Sequence, residues 1–312
     1  MKRISLTPTI EYVEPESMAN FTACAGLVID ADPKVLIDTN MGYEETAKLL
    51  EHERPGISII THYHLDHATW SALVLEYTDS ELFVPEGEED YLRDIDFFVE
   101  HTAAPFGLAD RWKQFMVETT HYREIKDFST YNKNFRLKAG STMIECIPTP
   151  GHSPSHSSFY LPIEKILFTG DMGIDRFGPW YGWKECSLTD LVESILRLRS
   201  MKVDLLVTSH GGIVTGDITQ AWDRCLSHLL KRELLVEQGL SRGMTEKDMV
   251  ERGIYFGDKS RVKEPMRSFL YMWDTAMLDH HMQILESASL VKLFPELSTL
   301  HPMEDSMPGT RG

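Results

Sequence analysis

The stretch THYHLDHA at residues 61–68 places His62, His64, Asp66 and His67 within six positions. Imidazole nitrogen and carboxylate oxygen are donors that divalent metals take. Alternate residues of an extended chain share a face, so His62 and His64 can point the same way at a strand end. Asp66 and His67 then start a helix and reach a second position close by. This spacing suits two adjacent metal positions better than one. Further donors follow in TPGHSPSHSS (His152), LFTGDMG (Asp171) and LVTSHGG (His210). Each comes after an apolar run and lies beside a glycine, which lets the backbone turn tightly near an ion.

The elements that must position these donors can be read from pattern. TACAGLVID and KVLIDTN are short apolar runs parted by ADP, which predicts a hairpin. GYEETAKLLEHE has helical spacing, ISII is a buried strand leading into the histidine stretch, ATWSALVLEYT is helical and LFVP is a strand. Strand, loop, helix, strand is an α/β order. Residues 86–131 interrupt it with a helical insertion broken at Pro105 and Gly107, whose Phe97, Phe98 and Phe106 could close an apolar pocket. Its opening EGEED reads as a solvated helix start, since acids favour helix N-termini. Strands resume at FRLKA, STMIECIPTP, SSFYL, KILFTGD and VDLLVTSHGG, with LTDLVESILRLRSM an amphipathic helix among them. Beyond residue 217 the pattern is helical, over about 219–238, 245–252 and 263–289. The expected organisation is a catalytic domain over 1–217, a helical module over 218–295 and a flexible tail over 296–312.

The seven donors, in this order, resemble the metallo-β-lactamase fold superfamily, of the glyoxalase II type. The resemblance runs from about residue 20 to 217. It implies an α/β, four-layer αββα sandwich with the site at one edge between two sheets. It implies that His62, His64 and His152 hold one metal, that Asp66, His67 and His210 hold a second, and that Asp171 bridges them. TPGHSPSHSS is similar to the TPGHTPGHxS stretch of several hydrolase branches, including homoserine-lactone lactonases. Ser155 replaces the second glycine of that pattern, and His156 matches a position better suited to supporting a ligand than to being one. The stretches HLLKRELLVEQGLSRGMTEKDMVERGIYF and MLDHHMQILESASLVK resemble the helical, winged-helix-like extension of the β-lactamase-like-2 branch. His280 and His281 fall on a helix there and read as packing or surface residues.

What the resemblance implies chemically is a dinuclear metal-dependent hydrolase. Two metals share a water, lower its pKa and direct the bridging hydroxide at a carbonyl, with Asp66 orienting it and taking its proton. Zinc is the default for the two divalent ions, with iron and manganese also able to occupy such mixed nitrogen and oxygen sites. The loop DRFGPWYGW, just after Asp171, offers Arg176, Trp180, Tyr181 and Trp183 as a substrate wall. A small-molecule substrate with an acyl group, a thioester or a lactone, fits these features best. The alternative is a phosphodiesterase or ribonuclease of the same superfamily. A binding module without turnover would not need the full donor set, lactam hydrolysis does not suit the longer chain, and a mononuclear iron oxygenase does not need donors for two metals.

The net charge of -17 is uneven: residues 218–312 carry 12 basic and 14 acidic residues, leaving 19 basic and 34 acidic in residues 1–217. Phosphate backbones bind through Lys and Arg, so general nucleic-acid binding is not expected. No apolar run reaches the roughly 18 residues of a membrane span, and the start MKRISLTPTIEYVEPE lacks the apolar region of a secretory signal. Cys24, Cys146, Cys186 and Cys225 form no CxxC pair and read as free thiols of a cytoplasmic protein. The helical module is a candidate surface for a homodimer.

Overall fold

The computed structural model describes residues 1–17, 22–38 and 40–302. Two sheets face each other. The first takes β1 (Lys2–Thr7), β2 (Ile10–Glu14), β3 (Gly26–Ile29), β4 (Val35–Ile37), β5 (Ile57–Ile59), β6 (Glu81–Pro85) and β7 (Ser129–Tyr131) in simple sequence order. Its first four strands run antiparallel and β4 to β7 run parallel. The second takes β8 (Arg136–Ala139), β9 (Thr142–Pro148), β10 (Ser157–Leu161), β11 (Ile166–Phe168), β12 (Leu205–Val207) and β13 (Ile213–Val214), in the order β13-β12-β11-β10-β9-β8. Only β11 and β12 pair in parallel there.

The two-residue period of a strand explains the layers. Val35 and Ile37 meet Ile166, Phe168 and Val207 in the core between the sheets. Leu36 points the other way, onto Leu49 and Leu50 of the helix Tyr43–Glu53 and Val74 of the helix Ser71–Tyr77. Leu167 and Leu206 point outward from the second sheet, onto the helix Leu188–Arg199. That helix buries Leu188, Leu191, Val192, Ile195 and Leu198, spaced three and four apart, and Ser187 caps it by accepting from Asp190 N–H. Each such buried aliphatic contributes roughly 1.5–3 kcal/mol. The result is the expected four-layer α/β sandwich.

The insertion is more broken than its sequence suggests. It holds helices Glu89–Arg93, Ile95–Thr102 and Ala109–Gln114, with a 3-10 turn at Ala104–Phe106 and a wide π turn at Phe115–Thr119. Its last residues are β7, so the span 86–131 is not helical throughout. The β1–β2 hairpin, closed at Thr7–Ile10, precedes the first strands read from the sequence.

Beyond β13 come helices Ile218–Ser241, Glu246–Arg252, Met266–Leu285 and Leu290–Leu293. No strand follows Val214 among the described residues, so the winged part of the expected module has no counterpart there. Trp222, Phe269, Trp273 and Met277 share one apolar core with Trp112, Trp183 and Leu191. The helices therefore pack as a continuation of the sandwich's outer layer. The expected tail from 296 begins as a 3-10 turn, Pro295–Thr299, with Leu297 buried; residues 303–312 lie outside the described residues. All four cysteines are free and buried. Among the described residues no helix is long and apolar enough to cross a membrane.

Candidate metal centre

Every donor follows the C-terminal end of a strand at one edge of the sandwich: His62, His64, Asp66 and His67 after β5, His152 after β9, Asp171 after β11 and His210 after β12. The chain bends at Thr61 and Tyr63 after β5, and His64 is extended. His62 and His64 face the site, while Tyr63 turns back to stack on Tyr91.

The structure brings His62, His64 and His152 into one group and Asp66, His67, Asp171 and His210 into another. His152 Nε2 lies 3.0 Å from His62 Nε2 and 2.8 Å from His64 Nδ1. The outer nitrogens decide the tautomers. His152 Nδ1–H donates to the Trp180 carbonyl at 2.8 Å. Thr61 gives its hydroxyl proton to Asp38, so its oxygen accepts from His62 Nδ1–H at 3.0 Å. Both Nε2 atoms are then bare lone pairs, and two of these 3.0 Å apart repel unless a cation lies between them. The donor set fits a metal ion on this ground.

The second group is carboxylate-rich. Asp66 Oδ2 lies 3.0 Å from His210 Nε2. Asp171 Oδ2 is 3.4 Å from His152 Nε2 and 3.6 Å from His210 Nε2, between the two groups. His67 Nδ1–H donates to Asp38 at 2.9 Å and leaves its Nε2 for the site.

Electrostatics separate the groups. Burial, reinforced by neighbouring histidines, holds His62 and His64 well below the usual imidazole range, and burial lowers His152 as well. Burial also opposes a charged His210, but Asp171 and Asp66 outweigh it and raise its pKa to about 9. A metal must displace that proton, whereas the first three imidazoles are already neutral. Burial likewise opposes a charged His67, but Asp38 and Asp66 raise its pKa, so metal affinity at the Asp66–His67–Asp171–His210 group should rise with pH until about pH 9, and by more than about tenfold per unit where both imidazoles are protonated. Affinity at the three-histidine group should be flat above neutrality. Competitive chelator titrations from pH 6 to pH 9 would test this, and parallel pH slopes at both groups would contradict it.

A family model described as the metallo-beta-lactamase superfamily matches residues 23–210, more than half of the chain. The chain belongs to this superfamily. Among curated relatives it is 25% identical over 151 residues to a hydroxyacylglutathione hydrolase of Mesorhizobium japonicum, a match covering 47% of this chain and 44% of that one. It is 23% identical over 175 residues to the beta-lactamase-like protein 2 homolog of Caenorhabditis elegans, covering 56% and 48%. The chain thus spans under half the length of these two relatives. A metallo-beta-lactamase family protein of Thermus thermophilus shares the fold at a TM-score of 0.67 and 18% identity, covering 91% of this chain and 96% of that one. The two donor groups, which could hold metal ions, lie at the edge of this family's fold.

Three supporting residues complete the centre. Asp38 follows β4 and is fully buried. It accepts from Thr61 N–H at 2.8 Å and orients His67. Replacing it with Asn removes the charge that holds His67 Nδ1–H, so Asp38→Asn should weaken metal binding or turnover about 10–100-fold. Metal titration would read this, and an unchanged affinity and rate would exclude the role. His156, buried and neutral, accepts from Asp171 N–H at 3.0 Å through Nε2 and donates to Thr149 at 2.8 Å. It supports Asp171. Glu88 corrects the reading of EGEED as solvated: it is fully buried. It accepts from Tyr63 N–H, Ser155 N–H and the Ser153 hydroxyl at 2.9, 2.8 and 2.5 Å, tying two donor loops together.

A cavity of about 670 Å³ opens over the donors. Of the expected wall, Arg176, Trp180 and Trp183 line it. Tyr181 does not: it is fully buried, with its hydroxyl paired to His281 Nε2 at 2.9 Å. From the insertion Phe98, Trp112 and Phe115 line the cavity; Phe97 and Phe106 pack behind it. Met266 and Trp273 of the helix Met266–Leu285, and Tyr255 of the loop before it, also line the cavity and had no local sequence signal. His280 is buried, with Nε2 donating to the Trp183 carbonyl at 2.8 Å.

The C-terminal helices also set the wall itself. Arg232, buried on the helix Ile218–Ser241, donates to the Phe177 and Pro179 carbonyls, both at 2.5 Å. Its guanidinium lies over the rings of Tyr255 and Tyr181. The next carbonyl along, that of Trp180, holds His152. One side chain thus links the helical layer to a metal donor through two residues of backbone.

Proposed function

We propose that the protein is a dinuclear metal-dependent hydrolase of an acyl-bearing small molecule, a thioester or a lactone. His62, His64 and His152 would hold one divalent ion, and Asp66, His67 and His210 a second, with Asp171 shared. Zinc is the first candidate, and iron or manganese suit the same donors. When bound, the pair would supply Lewis acidity and a water of lowered pKa.

The chain's own residues do the rest. Thr61, Asp38 and the Trp180 carbonyl fix the imidazole tautomers. Asp66, at the cavity floor, accepts the proton of the attacking water and orients the water's oxygen toward the carbonyl. Trp180, Trp183 and Trp273 hold the acyl group and exclude bulk water.

The observation that carries this reading is the aromatic cavity standing directly on the donors. A ribonuclease or phosphodiesterase needs a basic track to the centre, and this cavity brings one guanidinium, Arg176. A panel of thioesters, lactones and phosphodiesters assayed with metal-loaded protein tests the reading. Turnover of the carbonyl substrates is expected, with Trp180→Ala raising KM about tenfold for longer acyl chains. Turnover of phosphodiesters alone would overturn it.

A further inference from the structure

Two of the three imidazoles in the histidine group are aimed by hydrogen bonds from their outer nitrogens, His62 to the Thr61 hydroxyl and His152 to the Trp180 carbonyl. His64 is not. Its Nδ1 faces His152 Nε2, and its outer Nε2 is buried with no hydrogen-bond partner among the described residues. An imidazole turns about two side-chain bonds, so a donor without such an anchor must be aimed by what packs against it. Here that is two rings. Tyr63 meets His64 edge-on, with centroids 4.6 Å apart at 74°, and Trp180 does so at 5.3 Å and 87°.

Tyr63 is itself fully buried and held at three points. Its N–H donates to Glu88 at 2.9 Å, its ring stacks on Tyr91 at 3.9 Å, and its hydroxyl donates to Glu185 Oε1. Glu185 Oε2 is buried without a hydrogen-bond partner among the described residues. Burying a carboxyl oxygen in that way is costly, and an apolar side chain could fill the same space. What the carboxyl adds is direction: a hydrogen bond to the phenol fixes the tilt of the ring. The stretch that carries Glu185 reaches the other donor loop as well. Cys186 Sγ–H donates to the His152 carbonyl at 3.1 Å, and Ser187 N–H to the Gly151 carbonyl at 2.9 Å. Residues 185–187 thus fasten the His62–His64 loop and the His152 loop together, as Glu88 does through Tyr63, Ser153 and Ser155.

We propose that Tyr63 and Glu185 are positioning residues for the three-histidine group: Glu185, through the Tyr63 hydroxyl, sets the direction of the His64 imidazole. That this group holds a metal ion rests on the reading above; the brace itself does not. Neither Tyr63 nor Glu185 lines the cavity, so the pair acts through the donor and not on a substrate.

Ring-nitrogen NMR of histidine-labelled protein, with zinc added in competition with a chelator, tests this, because each imidazole reports on its own group. Tyr63→Phe removes one oxygen and keeps the stack on Tyr91; Glu185→Leu removes the acceptor. Each should weaken zinc about tenfold at His62, His64 and His152, and by less than about twofold at His67 and His210. Glu185→Gln keeps an acceptor oxygen and should return zinc affinity to within about twofold of the parent. The double variant Tyr63→Phe/Glu185→Leu should be no weaker than the weaker single one, as for two groups acting through one bond. Unchanged affinity at the three histidines in Tyr63→Phe, equal weakening at both groups, or Glu185→Gln as weak as Glu185→Leu overturns the proposal. If Glu185→Leu fails to fold, Tyr63→Phe and Glu185→Gln carry the same comparison. Hydrogen exchange reads the brace without metal. The Tyr63 N–H, bonded to Glu88, should exchange about tenfold faster in Tyr63→Phe, and an unchanged rate overturns the brace. A parent protein that takes no zinc at the three histidines overturns the metal reading instead, and the exchange rates still decide the brace.

Discussion

On the dinuclear hydrolase reading proposed above, Asp171→Ala is expected to reduce bound metal from two ions per chain to at most one and to lower hydrolysis by about 10³-fold or more. Asp171 Oδ2 is set between the groups, 3.4 Å from His152 Nε2 and 3.6 Å from His210 Nε2. Its loss takes charge from both positions. The three-histidine group keeps its neutral donors, so one ion should remain there, more weakly held. The second group loses the carboxylate that does most to offset burial and keep His210 protonated, so His210 should titrate lower in the metal-free variant. Metal analysis, turnover and an imidazole NMR titration read these three consequences separately. Retention of two tightly held ions with full turnover would remove Asp171 from the centre. His156 offers a graded comparison: His156→Ala leaves the Asp171 carboxylate in place but orphans its backbone N–H, so its effect should be smaller.

The donors were legible in sequence because each carries its own local grammar. An apolar strand ends, a glycine or a turn follows, and a His or Asp stands at the end. Asp38 obeys the same grammar in VLID, yet nothing local marks it. Its partners Thr61 and His67 lie 23 and 29 residues on, and it supports a donor instead of facing the centre. Glu88 was hidden more deeply. Its neighbours Glu86 and Asp90 are exposed, and only the fold reveals that the carboxylate between them closes on Tyr63, Ser153 and Ser155. The cavity wall was half legible. Trp180 and Trp183 lie in a conspicuous aromatic loop, but so does Tyr181, and backbone direction sends it inward to His281. Trp112 and Trp273 carry no local cue, because an aromatic at helical spacing reads as core, and Tyr255 lies in a loop that nothing local ties to the site. Each lies both in the shared core and at the cavity, or against that core, which pattern alone cannot divide.

Gly151→Ala should be strongly destabilising, costing at least about 3–5 kcal/mol. Gly151 has φ +126, a region closed to side-chain-bearing residues, and an added Cβ would lie 2.6 Å from Leu191 Cβ and closer still to that residue's backbone. The loop cannot retreat. Ser187 N–H donates to Gly151 O at 2.9 Å, Ser194 Oγ donates to Pro150 O at 2.8 Å, and Cys186 Sγ–H to His152 O at 3.1 Å. These bonds press the loop onto the start of the helix Leu188–Arg199, and this close approach sets where His152 stands. The added methyl must therefore either lift the helix from the second sheet or move His152 off its 3.0 Å approach to His62. Gly107→Ala separates clash from strain. Gly107 also has positive φ, +71, but an added Cβ there meets nothing within 4 Å, so only about 1–2 kcal/mol should be lost. Urea unfolding of both variants, metal-free so that binding does not contribute, compares the two costs directly. Equal losses would mean that backbone conformation alone matters at Gly151. A larger loss there, with weakened metal binding at the three-histidine group, would trace the position of a donor to the absence of one methyl group.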